Sequence, residues 1–218
     1  MNQRNVVCSW SGGKDSCFAL MQAIELGYTP KVLLNVLNEE GKISRSHGIP
    51  AELLIKQAAL IPLPIHLISA SWQAYENQFT QALQSLTAQY QLSHAVFGDI
   101  DLQAHRDWEE KVCASAKLTA LLPLWQQDRK QLVHQMLAAG IETMIVSCNS
   151  IMGEEFLGQY LTPDLITELE TLGIDACGEN GEFHTLVTNC LLFKEPLQVK
   201  VMSTAVHQDY CFAQLELA

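Results

Sequence analysis

The chain has 218 residues, enough for one large α/β domain or a domain with a smaller companion, and with 48% hydrophobic and 17% charged residues it is no disordered polymer. Thirteen basic residues against 24 acidic ones give a net charge of −11, and no basic patch is segregated, which argues against DNA or RNA as a partner. Seven cysteines without a C-x-x-C argue against a disulfide framework or zinc site, and no apolar stretch reads as a signal peptide or bilayer span, so a cytoplasmic protein without membrane contact is expected.

Asn5–Ser9 reads as a first strand, reached through a short polar lead. Asp15–Leu26 is an amphipathic helix closed by Gly27, and Lys31–Leu37 is a second strand. Pro50–Ala59 opens as a helix with proline in its first turn, and Pro64–Ile68 follows as a strand. Tyr75–Tyr90 is a longer helix, His94–Phe97 a strand and Asp107–Lys117 a helix. This alternation predicts an α/β fold with a doubly wound parallel sheet, its ligand crevice at the carboxyl ends of the strands.

Beyond residue 120 the rhythm loosens into a helix near Asp128–Ala139, a strand at Glu142–Ser147 and a helix near Pro163–Leu172. Gly178 and Gly181 then break the chain, and Leu191–Phe193, Gln198–Met202 and Tyr210–Leu217 read as short antiparallel strands. The expected organisation is a nucleotide-binding domain over 1–120 and a smaller α+β domain over 121–218 that completes the site.

Between the first strand and the first helix stands Ser11-Gly12-Gly13-Lys14-Asp15-Ser16, the layout of a phosphate cradle. Paired glycines let the backbone approach a ligand with its N–H groups, and the helix behind them adds unpaired donors and the positive end of its dipole. Lys14 supplies a mobile cation, and Ser11 and Ser16 supply hydroxyls. The spelling is not a Walker A loop, because Asp15 follows Gly13-Lys14 and no glycine stands five residues before Gly13. It matches instead the SGG-x-D-S loop of the PP-loop ATP pyrophosphatases, which cleave ATP between the α and β phosphates.

A second cluster, Cys177-Gly178-Glu179-Asn180-Gly181-Glu182-Phe183-His184-Thr185, sets two carboxylates between glycines and ahead of a histidine. By itself it also reads as a solvated turn. Together with Ser11–Ser16, and with Gly98-Asp99-Ile100, Arg106, Glu109 and Pro123-Leu124-Trp125 between them, it resembles the ATP-binding family that includes diphthine–ammonia ligase, over nearly the full chain. Asn180 stands where that family usually has glycine and His184 where it usually has glutamate, so the two departures fall in the acceptor part of the site.

The resemblance implies a PP-loop, HUP-like nucleotide domain and an AMP-forming amide ligase that uses ATP, Mg²⁺ and ammonia. Its acceptor would be a carboxylate, either diphthine borne on a protein or a small molecule. Ser11, Gly12, Gly13, Lys14, Asp15, Ser16 and Asp99 would hold the nucleotide, with Asp15 and Asp99 on magnesium; Asp99, at the end of its strand, reads equally as a ribose ligand or a capping carboxylate. Lys14, Glu179, Glu182 and His184 would carry the chemistry, the carboxylates or the histidine taking a proton from ammonium. His47, Trp125 and an Arg106–Glu109 pair have blander readings as a surface ring, a core or seam aromatic and a helix-surface ion pair. Alternatives are sulfur transfer to tRNA through Cys148 and Cys177, and nucleotide binding without turnover; a second copy of the chain is a further candidate partner.

Overall fold

The computed structural model describes residues 4–218; Met1–Gln3, part of the polar lead, lie outside them. The first half runs β1 (Asn5–Ser9), α1 (Lys14–Glu25), β2 (Thr29–Leu37), α2 (Ala51–Leu60), β3 (Ile65–Ser69), α3 (Tyr75–Tyr90), β4 (His94–Val96), α4 (Gln103–Ser115) and β5 (Thr119–Leu121). The second half adds α5 (Arg129–Ala138), β6 (Glu142–Asn149), a 3₁₀ turn at Glu154–Phe156, α6 (Pro163–Thr171), β7 (Phe183–Asn189), β8 (Val199–His207) and β9 (Tyr210–Leu217).

Five strands form a parallel sheet in the order β3-β2-β1-β4-β5, and four form an antiparallel sheet in the order β7-β6-β9-β8. Alternation along β1 explains the double winding. Val6 and Cys8 pack with residues of α1 and α2 on one face, and Val7 packs with residues of α3 and α4 on the other. The first of these cores continues without a break into the antiparallel sheet, through Ile145, Leu186, Val187 and Leu215. No helix among the described residues is long and apolar enough to cross a membrane.

The sheet order reverses between β1 and β4, so a crevice opens outside their carboxyl ends. Ser11–Ser16 leaves β1 there, and Gly98-Asp99 leaves β4 there. Several readings of the sequence shift, and β5 is an addition to them. β5 has only three residues, too few to show a period. Phe183–Thr185, expected at the end of a polar loop, begins the strand β7, while Leu191–Phe193 is a turn in which Phe193 N–H donates to the Cys190 carbonyl at 3.0 Å. α4 begins four residues before Asp107, over a polar first turn that periodicity does not mark.

Candidate active site

The glycines of the Ser11–Ser16 loop are required by its neighbours. Gly12 has φ +87°, and a Cβ there would lie 2.8 Å from Leu54 Cδ2 and 2.9 Å from Gln57 Oε1. At Gly13 an added Cβ would meet His47 Nε2 at 2.9 Å and the Thr185 carbonyl at 3.0 Å. Gly98 lets the loop after β4 pack directly on the first turn of α1, since a Cβ would come within 2.8 Å of the Ser16 nitrogen. No side chain of its own N-cap residue closes α1. Ser11 and Ser16 hydroxyls lie 3.0 Å apart beside it. A helix start with two hydroxyls beside it is suited to an anion, although the Gly13 and Lys14 N–H groups already donate to Ser11 Oγ and Thr185 Oγ1.

Gln57, on α2, fixes that loop and was not legible as a site residue. It is fully buried. Its amide donates to the Gly12 carbonyl at 3.0 Å and the Val187 carbonyl at 2.7 Å, while its Oε1 accepts from Trp10 Nε1 at 3.0 Å. Val187 N–H also donates to the Gly12 carbonyl at 2.9 Å, so the loop is stitched directly to β7.

Lys14 is not the mobile cation expected from its place in the loop. It is 2% exposed, and its ammonium donates to both Asp15 carboxylate oxygens at 2.9 Å and to the Cys177 carbonyl at 2.5 Å. Burial opposes its charge, but Asp15 and the other acidic groups around it outweigh that and raise its pKa. Burial pushes the Asp15 carboxyl upward, against the pull of Lys14. The Lys14 N–H donates to Thr185 Oγ1 at 3.1 Å. Both ends of Cys177–Thr185 therefore touch the first loop.

A cavity of about 770 Å³ lies between the two loops, large enough for a nucleotide with a second small group. Glu179 lines it. Burial first, then the charge of Asp15, lifts the Glu179 pKa to about 8, with Lys14 and Arg129 pulling the other way. Glu182 does not line the cavity. It accepts from Asn180 N and Nδ2, both at 3.0 Å, and from Asp175 N at 3.3 Å, which organises the loop around itself. Asn180 is thus used in the turn rather than merely tolerated there.

Arg129, at the start of α5, is a second residue whose role the sequence did not mark. Its guanidinium makes a two-point bond to Asp101 after β4, at 2.7 and 2.6 Å, and reaches Asp175 and Asn180 of the acidic segment. These carboxylates raise its pKa, Asp101 most. The Cys177 thiol donates to the Arg129 carbonyl at 2.8 Å.

Asp99 and Glu109 also line the cavity. Burial and then the hydrogen bond with Asp99 lift the Glu109 pKa to about 11, so Glu109 is a neutral acid at pH 7. Burial works against the Asp99 carboxylate, yet bonds from His105, at 2.7 Å, and from Glu109 keep its pKa below the usual range. Arg106 turns away from Glu109, pairs with Glu110 at 2.8 Å and lies 5.0 Å over the Trp125 ring, so the Arg106–Glu109 ion pair does not form.

His47 lines the cavity rather than the outer surface, with its ring 4.5 Å from that of His184. Burial, then His184 and Lys14, bring the His47 pKa well down. Burial and Lys14 bring that of His184 to about 4, so His184 loses the near-neutral basicity expected of its type. Cys148 and Cys177 thiols are both pushed up to about 12 by burial, which makes each a poor nucleophile.

Asp15 and Asp99 are hard oxygen donors whose charges reach one another, and a magnesium ion held by one or two carboxylates plus ligand phosphates fits them. No cluster of three or more His, Cys, Asp or Glu residues suited to a metal occurs among the described residues.

Family models for the diphthamide synthase N-terminal domain and the diphthamide synthase C-terminal domain match residues 4–120 and 128–218. A diphthine–ammonia ligase of Danio rerio is 27% identical over 227 residues, covering 93% of this chain and 89% of its own length. One of Homo sapiens is 27% identical over 228 residues, covering 93% and 85%. A solved chain described as a predicted subunit of tRNA methyltransferase from Methanocaldococcus jannaschii aligns with 88% of this chain and 99% of its own, at 16% identity and a TM-score of 0.47.

Proposed function

Because the chain belongs to the diphthamide synthase family, we propose that it is an ATP-dependent ligase joining ammonia to a carboxylate, with AMP and pyrophosphate as co-products. The observation that carries this reading is the contact of the two loops around one cavity, through Lys14 with Cys177 and Thr185. One loop is suited to a polyphosphate leaving group. The other brings a carboxylate of raised pKa to the same space.

A carboxylate is a poor electrophile, and its oxygen leaves badly. Attack of the acceptor carboxylate on the α-phosphorus of ATP would make the mixed anhydride with AMP and release pyrophosphate. Charge growing on that leaving group would be met by the N–H groups at the start of α1, the hydroxyls of Ser11 and Ser16, and Lys14 released from Asp15. Asp15 and Asp99 would hold magnesium, which supplies further charge neutralisation on the phosphates.

Ammonia then attacks the acyl carbon and AMP leaves. Glu179 is the group to strip the proton from ammonium, because its pKa of about 8 lets it accept that proton near neutrality. Glu182 holds the loop that carries Glu179, and neutral His47 and His184 border the loop as hydrogen-bonding rings. In this division of labour residues 1–120 bind the nucleotide and residues 121–218 supply the amidation side.

The test is incubation with ATP, an ammonium salt and carboxylate acceptors, with nucleotides separated and the amide followed by mass. AMP and pyrophosphate formed in step with amide support the ligase. ADP as the product, or nucleotide retained without turnover under every acceptor, overturns it.

A further inference from the structure

The phosphate loop and β7 meet along one seam. The Gly12 carbonyl accepts from the Val187 N–H at 2.9 Å, and the Lys14 N–H donates to Thr185 Oγ1 at 3.1 Å. Behind the loop the seam holds two cysteines that have no part in the ligase chemistry. Cys17 lies one helical turn past Gly13, its N–H donating to the Gly13 carbonyl at 3.2 Å, and Cys190 directly follows β7. Their thiols share a hydrogen bond.

The two sulfurs are not equivalent. Cys17 is fully buried, whereas Cys190 is 5% exposed and opens a turn whose next residue, Leu191, stands 79% exposed. The hydrogen bond from Cys17 holds the Cys190 thiol below its usual range against the effect of burial, helped by the N–H groups of Leu192 and Phe193 that donate to its sulfur. The same bond, then burial, keeps Cys17 protonated. A sulfur of thiolate character near solvent, with a protonated thiol in contact behind it, is the arrangement of an attacking and a resolving cysteine.

The other buried thiols lack it. Cys8 turns to the Ser9 and Ser16 carbonyls at 3.7 and 3.8 Å. Cys148 and Cys211 are cross-strand partners, but the Cys148 thiol donates to the Gly153 carbonyl at 3.1 Å and burial pushes it up to about 12. Burial does the same to Cys113 and Cys177.

We propose that Cys190 and Cys17 are an oxidant-sensing pair that closes to a disulfide behind the phosphate loop. Hydrogen peroxide is the co-reactant. The Cys190 thiolate attacks one peroxide oxygen, the O–O bond breaks, and the leaving hydroxide takes up the proton that Cys190 gave up, which leaves a sulfenic acid on Cys190 and one water. The Cys17 sulfur then attacks the Cys190 sulfur, the S–O bond breaks, and hydroxide leaves with the Cys17 proton as a second water. Two thiols are oxidised to one disulfide, and one peroxide is reduced to two waters. A covalent bond is shorter than the hydrogen bond it replaces, so α1 and the turn after β7 draw together and the loop at the head of α1 shifts. Weaker ATP binding follows, a step that rests on the nucleotide side of the ligase reading.

The full chain is reduced, freed of reductant, treated with hydrogen peroxide, blocked with N-ethylmaleimide and mapped by mass spectrometry. The expected result is a Cys17–Cys190 linked peptide lacking two hydrogens, reopened by dithiothreitol, with ATP affinity by equilibrium dialysis about tenfold lower in the bridged chain. Cys17→Ala should stop at a dimedone-reactive sulfenic acid on Cys190, and Cys190→Ser should leave Cys17 reduced. Mapping of the natural chain keeps the test open if either variant does not fold. No bridge, a bridge between Cys148 and Cys211 instead, or a bridge that forms only in urea each overturns the pair. A Cys17–Cys190 bridge with unchanged ATP affinity overturns the sensing role. A reduced chain that releases no AMP from ATP removes the ligase reading and leaves the mapped bridge standing.

Discussion

The ammonium of Lys14 donates to the backbone carbonyl of Cys177 at 2.5 Å, joining two loops 163 residues apart in the sequence. The bond makes the acidic loop part of the resting environment of the phosphate loop. Any ligand that draws Lys14 toward a phosphate takes a partner away from Cys177, so the two halves of the proposed reaction meet at one side chain.

Replacing Lys14 therefore affects both stability and chemistry. Lys14→Ala leaves Asp15 without its cation in a buried setting, and a cost of roughly 2–3 kcal/mol is expected, toward the low side for a broken buried pair because Asp15 keeps some contact with water. Pyrophosphate release should fall by about a hundredfold or more. The double change Lys14→Met with Asp15→Asn separates the effects: urea midpoints should recover and pyrophosphate release should not. Full activity in either variant would show that Lys14 has no part in the phosphate chemistry.

Gln57 offers a different route to the same loop. Gln57→Leu keeps the volume but leaves the Trp10 indole N–H unpaired and takes a donor from the Gly12 and Val187 carbonyls, in a place water does not reach. Destabilisation of about 2–3 kcal/mol by urea unfolding is expected, together with weaker ATP binding because the loop loses its anchor. An unchanged midpoint would mean the amide is dispensable.

These two residues mark what sequence could and could not convey. Ser11–Ser16 was legible because glycine pairs and a helix start are local, and the parallel sheet because strands and helices alternate at regular spacing. Gln57 was invisible: within Ala51–Leu60 a lone glutamine looks like the solvent face of an amphipathic helix, and only the arrival of β7 buries it. Arg129 was hidden in the same way, its partners lying 28 and 46 residues away. Phe183–Thr185 reads as the end of a polar loop because the burial of β7 depends on β6, not on its own alternation. Glu179 and Glu182 look equivalent in the sequence, and only the fold separates a cavity carboxylate from one that organises a turn.

Arg129 is expected to govern the amidation side alone. Lysine cannot reproduce the two-point bond to Asp101 while also reaching Asp175 and Asn180, so Arg129→Lys should loosen the segment over residues 175–182. Faster protease cleavage in that segment and a drop in amide formation, with ATP affinity retained, are the expected signs. Loss of ATP binding in proportion to amide formation would make Arg129 part of the nucleotide site.

Glu179 yields the pH dependence. Its pKa of about 8 in the fold lies far above an ordinary carboxyl, so the folded protein holds a proton there that the unfolded chain releases between roughly pH 4.5 and 8. Its contribution to stability is full below the ordinary carboxyl pKa and is lost as pH rises through about 8. Glu179→Gln, which cannot ionise, should gain stability relative to the natural chain above pH 8. Activity runs the opposite way, because proton removal from ammonium needs the ionised form. Amide formation should rise about tenfold per pH unit up to about 8 and then level, while in Glu179→Gln it should be low and flat with AMP formation preserved. Glu182→Gln keeps a turn-forming acceptor and should retain the rise. Single-turnover measurements of amide and AMP across pH 6–9 check both variants, and an undiminished pH limb in Glu179→Gln would move the base to another residue.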